Sequence, residues 1–173
     1  MEMVKPSSKE ELQAVIARTV REQGNDCDLG FIDTSLITDM SFLGFGRDFN
    51  GDVSRWDVSH VTNMAYMFFG CDKFNRPLDQ WDVSHVTNMA GMFYNAESFD
   101  QPLNDWDVSR VEDMGYMFAH ARTFNRPLDK WNVSGVKSMK GMFRGARAFN
   151  QPLNSWDVSR VDARYRKEEE YGR

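Results

Sequence analysis

The five tryptophans of this chain recur at a fixed interval of 25 residues, and this interval limits the possible folds more than any other feature of the sequence. Similar short sequences surround each of them, so the chain is a tandem array. A period of this length is typical of solenoids, in which each unit buries its apolar side chains against its neighbours. We therefore predict that the tryptophans form a buried ladder: Trp56, Trp81, Trp106, Trp131 and Trp156.

Each repeat contains two kinds of apolar spacing. Trp81 and Val83 are two residues apart, the period of a strand, and they predict a short strand over residues 80–84. Pro77 lies in the turn that closes the preceding unit. After the strand, four apolar residues share one side of a helix or helical turn: Val86, Met89, Met92 and Phe93. The two spacings together predict an α/β repeat.

The regions outside the array divide the chain into three parts. An amphipathic helix is predicted from Ser8 to about Gln23, with Ser8 as its N-cap and Gly24 at its end. Residues 1–30 are expected to form a capping helix and linker, and residues 162–173 a charged tail. Between them, residues 31–161 are expected to form the solenoid, with one degenerate repeat followed by about five repeats of 25 residues.

The repeated sequence also resembles a known family. The segments from Phe149 to Val161 and from Val86 to Phe93 closely resemble the BspA-like bacterial surface-protein repeat, which belongs with the leucine-rich repeats. This resemblance implies a parallel-stranded solenoid and, for surface-exposed members, adhesion or protein binding. We therefore expect a right-handed, leucine-rich-repeat-like solenoid with short parallel strands, one helix or helical turn per repeat and a helical N-terminal cap.

Charge and hydropathy restrict the classes of partner. The formal net charge is −5, whereas nucleic acids and anionic membranes bind clustered cations, so we expect no nucleic-acid partner. No apolar run approaches membrane-spanning length, so we expect no membrane insertion. The chain begins without a secretory signal, which favours the cytoplasm, while the resemblance favours a cell-surface or secreted location. Cys27 and Cys71 occupy unrelated positions of the repeat and predict two free thiols.

Positions that vary between repeats are the candidates for a binding surface, because the invariant positions are expected to be buried. One set lies beside the predicted strand: Arg55, Gln80, Asp105 and Lys130. Phe69 and Tyr94 occupy a position after the predicted helix, and aromatic side chains are typical anchors of protein interfaces. These residues predict a non-catalytic protein-interaction module of the leucine-rich-repeat type with an unknown protein partner.

A row of acidic residues faces away from the predicted Trp ladder and allows two interpretations. The row could form a cation-binding face, or each carboxylate could accept backbone N–H groups at the turn after the strand. The second interpretation is favoured, because each repeat supplies about one such acid, and no metal or cofactor is expected. The row contains Asp57, Asp82 and Asp107.

The alternatives to a protein-binding module belong to other functional classes. The sequence contains neither a nucleophile with a suitably spaced base nor a phosphate-binding loop, so we do not expect an enzyme. The second hypothesis is a structural or assembly module that associates weakly with itself, end to end through its last repeat. Without such association the chain is expected to be a monomer. A cation- or carbohydrate-binding surface on the acidic row is the third.

Overall fold

The computed structural model describes residues 2–162, so the charged tail predicted at 162–173 lies outside the described residues from residue 163 onward. Helix α1, Lys9–Gln23, lies where the amphipathic pattern predicts it. The Ser8 hydroxyl accepts a hydrogen bond from the Glu11 N–H at 3.1 Å and caps the helix. At its other end, the Gly24 N–H donates to the Val20 carbonyl at 2.8 Å.

Helix α1 covers the first end of the array. Its buried side consists of Leu12, Val15, Ile16 and Thr19. Polar side chains of α1 reach the first repeat as well: Gln13 Nε2 donates to the Phe42 carbonyl at 3.2 Å, and Lys9 Nζ donates to Ser41 Oγ at 3.0 Å. The helix thus supplies apolar contacts and hydrogen-bond donors to the first repeat.

The structure overturns the predicted fold class. Within residues 2–162, α1 is the single helix, and the pairing between repeats consists of isolated parallel bridges without a strand or a sheet. Residues 80–84 form irregular backbone and a turn where a strand is predicted, and residues 86–93 contain one bridge and turns where a helix is predicted. The prediction of a right-handed α/β solenoid of the leucine-rich-repeat type is therefore wrong.

The backbone of each repeat instead contains a ribbon of overlapping turns. In the ribbon of residues 64–71, alternate N–H groups donate to the carbonyl three residues earlier, at 3.1–3.3 Å: Met67, Phe69 and Cys71. The N–H groups between them donate at 2.8–2.9 Å to carbonyls of the next repeat: Met64, Tyr66, Phe68 and Gly70. Three of the eight donors therefore close turns with carbonyls, four join repeats, and the Ala65 N–H binds Asn63 Oδ1 at 2.9 Å, so all eight are satisfied with neither helix nor strand.

The same ribbon recurs at residues 89–96 and 114–121. Each ribbon contains two residues in the left-handed region, including Tyr66 at φ 57°, Gly91 at 61° and Tyr116 at 56°. A right-handed helix does not continue through such a residue. This is why the spacing of Val86, Met89, Met92 and Phe93, which predicts a helix, belongs to a turn ribbon whose apolar side chains are nevertheless buried.

The core consists of columns of equivalent side chains from successive repeats. The five tryptophans are 3–9% exposed, and the rings of Trp106 and Trp131 stack at 6.4 Å between centroids with an interplanar angle of 2°. Each indole Nε1 donates to a carbonyl of the preceding repeat; the Trp106 Nε1 lies 2.9 Å from the Leu78 carbonyl oxygen. Phenylalanines form parallel columns beside the tryptophans, as at Phe93 and Phe118, whose centroids are 5.6 Å apart.

Polar side chains hold the repeats in register at the surface. The Asn75 N–H donates to Asn50 Oδ1 at 2.9 Å, and the same bond recurs at each following repeat, with Asp100, Asn125 and Asn150 as donors. Ion pairs also join successive repeats, and four of them link residues 97–112 to residues 122–137. These pairs are Glu97–Arg122, Asp100–Arg126, Asp105–Lys130 and Glu112–Lys137.

Candidate functional site

A continuous row of partly exposed rings crosses the turn ribbons of successive repeats. This aromatic strip consists of Phe42, Tyr66, Phe69, Tyr94, Tyr116 and His120. Phe42 is 55% exposed and Phe69 is 47% exposed, whereas the other four rings are half-buried. The strip includes both aromatic residues that the sequence predicts as anchors, Phe69 and Tyr94.

The rings of the aromatic strip contact one another in sequence. Phe42 stacks on Tyr66 with the centroids 4.8 Å apart, and Phe69 meets Tyr66 edge-on at 5.9 Å. Tyr94 lies 5.3 Å from Phe69 and 6.1 Å from Tyr116. Such edge and offset contacts fix ring orientations, so the strip presents ordered apolar faces to solvent.

Glycines of the next repeat make room for three of these rings. A Cβ on Gly91 would overlap the Tyr66 ring, and a Cβ on Gly141 would lie 2.7 Å from Cε1 of Tyr116. A Cβ on Gly145 would overlap His120. Tyrosine and glycine therefore alternate at one ribbon position because a ring in one repeat lies over the backbone of the next.

An arginine continues the strip at its C-terminal end. The guanidinium carbon of Arg144 lies 5.5 Å from the Tyr116 ring centroid, which is cation–π geometry. Arg144 is exposed. The strip thus changes from purely apolar at Phe42 to aromatic and cationic at Tyr116 and Arg144.

The sequence-predicted set beside Trp lies on another part of the surface and is largely paired. Arg55 Nη2 lies 2.7 Å from both carboxylate oxygens of Asp28. Lys130 Nζ lies 3.4 Å from Asp105 Oδ1, so these two candidates form an ion pair with each other. Gln80 Nε2 donates to its neighbour's carboxylate at 3.0 Å.

Arg55 and Gln80 border a common open cleft of about 470 Å³. Its wall is completed by Ser54, Trp56, Pro77 and Asp79. Asp105 and Lys130 do not line this cleft, so the structure divides the predicted set into a cleft pair and an ion pair.

The acidic row is engaged in turns. The Oδ1 atom of each carboxylate accepts the N–H of the serine two residues later at 3.0 Å, at Asp57, Asp82 and Asp107. Hydrogen bonds from these serines lower the pKa of all three carboxyl groups. The serine side chain has the larger effect and the serine backbone N–H the next. Within residues 2–162 no group of three or more His, Cys, Asp or Glu side chains is arranged to hold a metal ion.

The two cysteines are free and buried. Burial raises the pKa of the Cys71 thiol to about 12 and also raises that of Cys27. In the described part of the chain, no helix is long and apolar enough to cross a membrane.

Sequence reasoning missed Phe42, Tyr66, Tyr116 and His120. The available signal was the alternation of tyrosine with glycine, since Tyr66 and Tyr116 stand where the intervening repeat has Gly91. Glycine at a recurring position indicates a backbone conformation or a close approach that side chains disfavour. A tyrosine at the same position is therefore placed on the ribbon surface and not in the core.

Comparison with known proteins identifies the family of this repeat. Residues 12–121 and residues 78–167 each match the family described as "Mycoplasma protein of unknown function, DUF285". The chain belongs to the DUF285 family. Two overlapping matches to DUF285 agree with the tandem array, and this repeat family is not specifically BspA-like. No curated protein and no solved structure matches the chain.

Proposed function

We propose that this DUF285 chain is a non-catalytic protein-interaction module that binds its partner through the aromatic strip. The observation that carries the proposal is the contiguity of the rings: Phe42 and Phe69 are 55% and 47% exposed, and contacting rings connect them to Tyr94 and Tyr116. Aromatic residues and arginine are the types most enriched at the energetic centres of interfaces. An ordered row of them on a surface supports partner binding.

Two sequence features support the same proposal. The repeat resembles BspA-like surface-protein repeats, for which adhesion or protein binding is expected. The variable positions Phe69 and Tyr94 lie within the strip, whereas the positions that repeat without change supply the core columns. A non-catalytic role rests on the sequence, which offers no nucleophile with a suitably spaced base.

Site-specific photo-crosslinking in cells that produce the protein tests this proposal. A photoreactive amino acid at position 69 is expected to give a discrete adduct with another protein. The matched control places it at Leu36, which is 52% exposed and lies outside the aromatic strip. Absence of an adduct at position 69, or identical adducts at both positions, would refute binding through the strip. An adduct of twice the chain's mass would favour self-association instead.

A further inference from the structure

The backbone beneath the aromatic strip offers a partner no free edge. In the ribbons of residues 64–71, 89–96 and 114–121, every N–H group either closes a turn, binds a carbonyl of the next repeat or, at the second residue of the ribbon, binds the side-chain oxygen of the residue two positions earlier. A partner strand lying across these ribbons would find the donors already engaged, so addition of a strand is excluded there. Recognition at this surface has to come from the rings and from their polar groups.

The polar groups of the strip include three tyrosine hydroxyls. Within residues 2–162, the hydroxyls of Tyr66, Tyr94 and Tyr116 have no hydrogen-bond partner, although all three rings are half-buried. Ordered rings with available O–H donors suit a ligand that presents apolar rings together with carbonyl acceptors. Proline-rich peptides have this chemistry, because the polyproline II conformation makes no internal hydrogen bonds and exposes its carbonyls.

We propose that the aromatic strip binds a proline-rich segment in the polyproline II conformation, a proposal that rests on the proposed protein-binding function. Aromatic-lined surfaces are the usual recognition elements for such segments. The prolines would pack on the ring faces of Phe69 and its neighbours, while the tyrosine hydroxyls donate to peptide carbonyls. The peptide gives up little conformational freedom, because polyproline II is already its preferred state.

The tyrosines recur along the array. Tyr66 and Tyr116 occupy the same ribbon position two repeats apart, with Gly91 at the repeat between them. The Tyr94 ring lies between these two tyrosines, 6.1 Å from Tyr116. A peptide that runs along the array therefore meets a tyrosine hydroxyl in each of three successive repeats.

Charge at one end of the strip fixes the direction of the peptide. Arg144 lies over the Tyr116 ring and has no carboxylate partner among the described residues. In contrast, Arg122, Arg126 and Lys130 each have an acidic partner from the repeat before. An acidic residue at the end of the proline-rich segment would meet Arg144 and favour one of the two orientations.

Calorimetric titration of the full chain with synthetic peptides tests the inference. The first probe is a short polyproline peptide that ends in one glutamate, the second has alanine in place of proline, and the third ends in glutamine. The first is expected to bind and the second to fail. Phe69→Ala is expected to weaken binding about tenfold. Arg144→Glu is expected to weaken binding of the glutamate peptide about threefold to fivefold and to leave the glutamine peptide unchanged.

Leu36→Ala is the control variant, because Leu36 is exposed to a similar extent as Phe69 but lies outside the aromatic strip, and this variant should leave peptide binding unchanged. The melting temperature of each variant reports whether it has folded. Equal affinity for the alanine peptide, or binding that Phe69→Ala does not change, would overturn the inference. So would binding of a glucan oligosaccharide in place of the peptides. If no peptide binds at millimolar concentration while crosslinking at position 69 persists, the polyproline ligand is wrong and the proposed function stands.

Discussion

Gly91→Ala is the sharpest test of how the aromatic strip is built. The substitution places a methyl group where the Tyr66 ring lies and puts alanine at φ 61°. The left-handed conformation alone costs about 1–2 kcal/mol, and displacement of the ring adds about 1–3 kcal/mol, the usual cost of overpacking. We expect the free energy of unfolding to fall by about 2–5 kcal/mol.

Gly70→Ala is the matched control. Gly70 has φ 73°, and a Cβ there would have no atom within 4 Å, so this variant reports the backbone cost alone. The difference between the two variants in urea unfolding therefore isolates the contact with Tyr66. In a Tyr66→Ala background the steric component should disappear, and Gly91→Ala should then cost about 1–2 kcal/mol. Equal destabilisation by Gly70→Ala and Gly91→Ala would refute the placement of the ring over the glycine.

Three further outcomes are expected. Trp106→Phe removes the indole N–H that donates to the Leu78 carbonyl at 2.9 Å, while that carbonyl keeps the Trp81 N–H at 3.1 Å, so the free energy of unfolding should fall by about 0.5–1.5 kcal/mol in urea titration; an unchanged free energy of unfolding would show that the indole hydrogen bond does not stabilise the fold. Cys71, with a thiol pKa of about 12, should not react with an aromatic disulfide reagent at pH 8 until urea unfolds the chain; rapid reaction of the native protein would contradict its burial. Because hydrogen bonds from serine hold the pKa of the acidic-row carboxyl groups below its ordinary value, these carboxylates should stabilise the fold above that ordinary pKa and lose this contribution as the pH falls through the folded pKa; a melting temperature unchanged down to pH 2 would contradict this for Asp57, Asp82 and Asp107.

The sequence predicts the parts of this structure that depend on side-chain burial. The interval between tryptophans identifies the columns, and the Ser8 cap identifies the start of α1. The path of the backbone was not predictable from the same pattern, because Val86, Met89 and Met92 are buried at a spacing that a helix and a turn ribbon share. The two left-handed residues of each ribbon distinguish the turn ribbon from a helix, and glycine is the one residue type that reliably indicates such a conformation in a sequence.

Part of the candidate site could be predicted from the way residue types vary between repeats. Phe69 and Tyr94 stand out as aromatic residues at a variable position, and both lie in the strip. Tyr66 adopts a conformation that tyrosine seldom takes, and the only signal of its surface position is Gly91 at the equivalent position of the next repeat. Its stacking partner, Phe42, lies 24 residues earlier, at the offset of the degenerate first repeat and not at the period of 25 residues.

The ion pairs between residues 97–112 and 122–137 have a consequence for the order of modules. The phenylalanine column from Phe68 to Phe143 has almost the same spacing, 5.6–5.7 Å, at three successive junctions, so it does not distinguish one neighbouring repeat from another. The surface does distinguish them at one junction, which matches four acids with four bases. Each exposed pair is worth only about 0.2–1 kcal/mol, yet shuffling would forfeit all four together. Surface charge therefore selects the neighbouring repeat at this junction, whereas the phenylalanine column would accept any of the repeats.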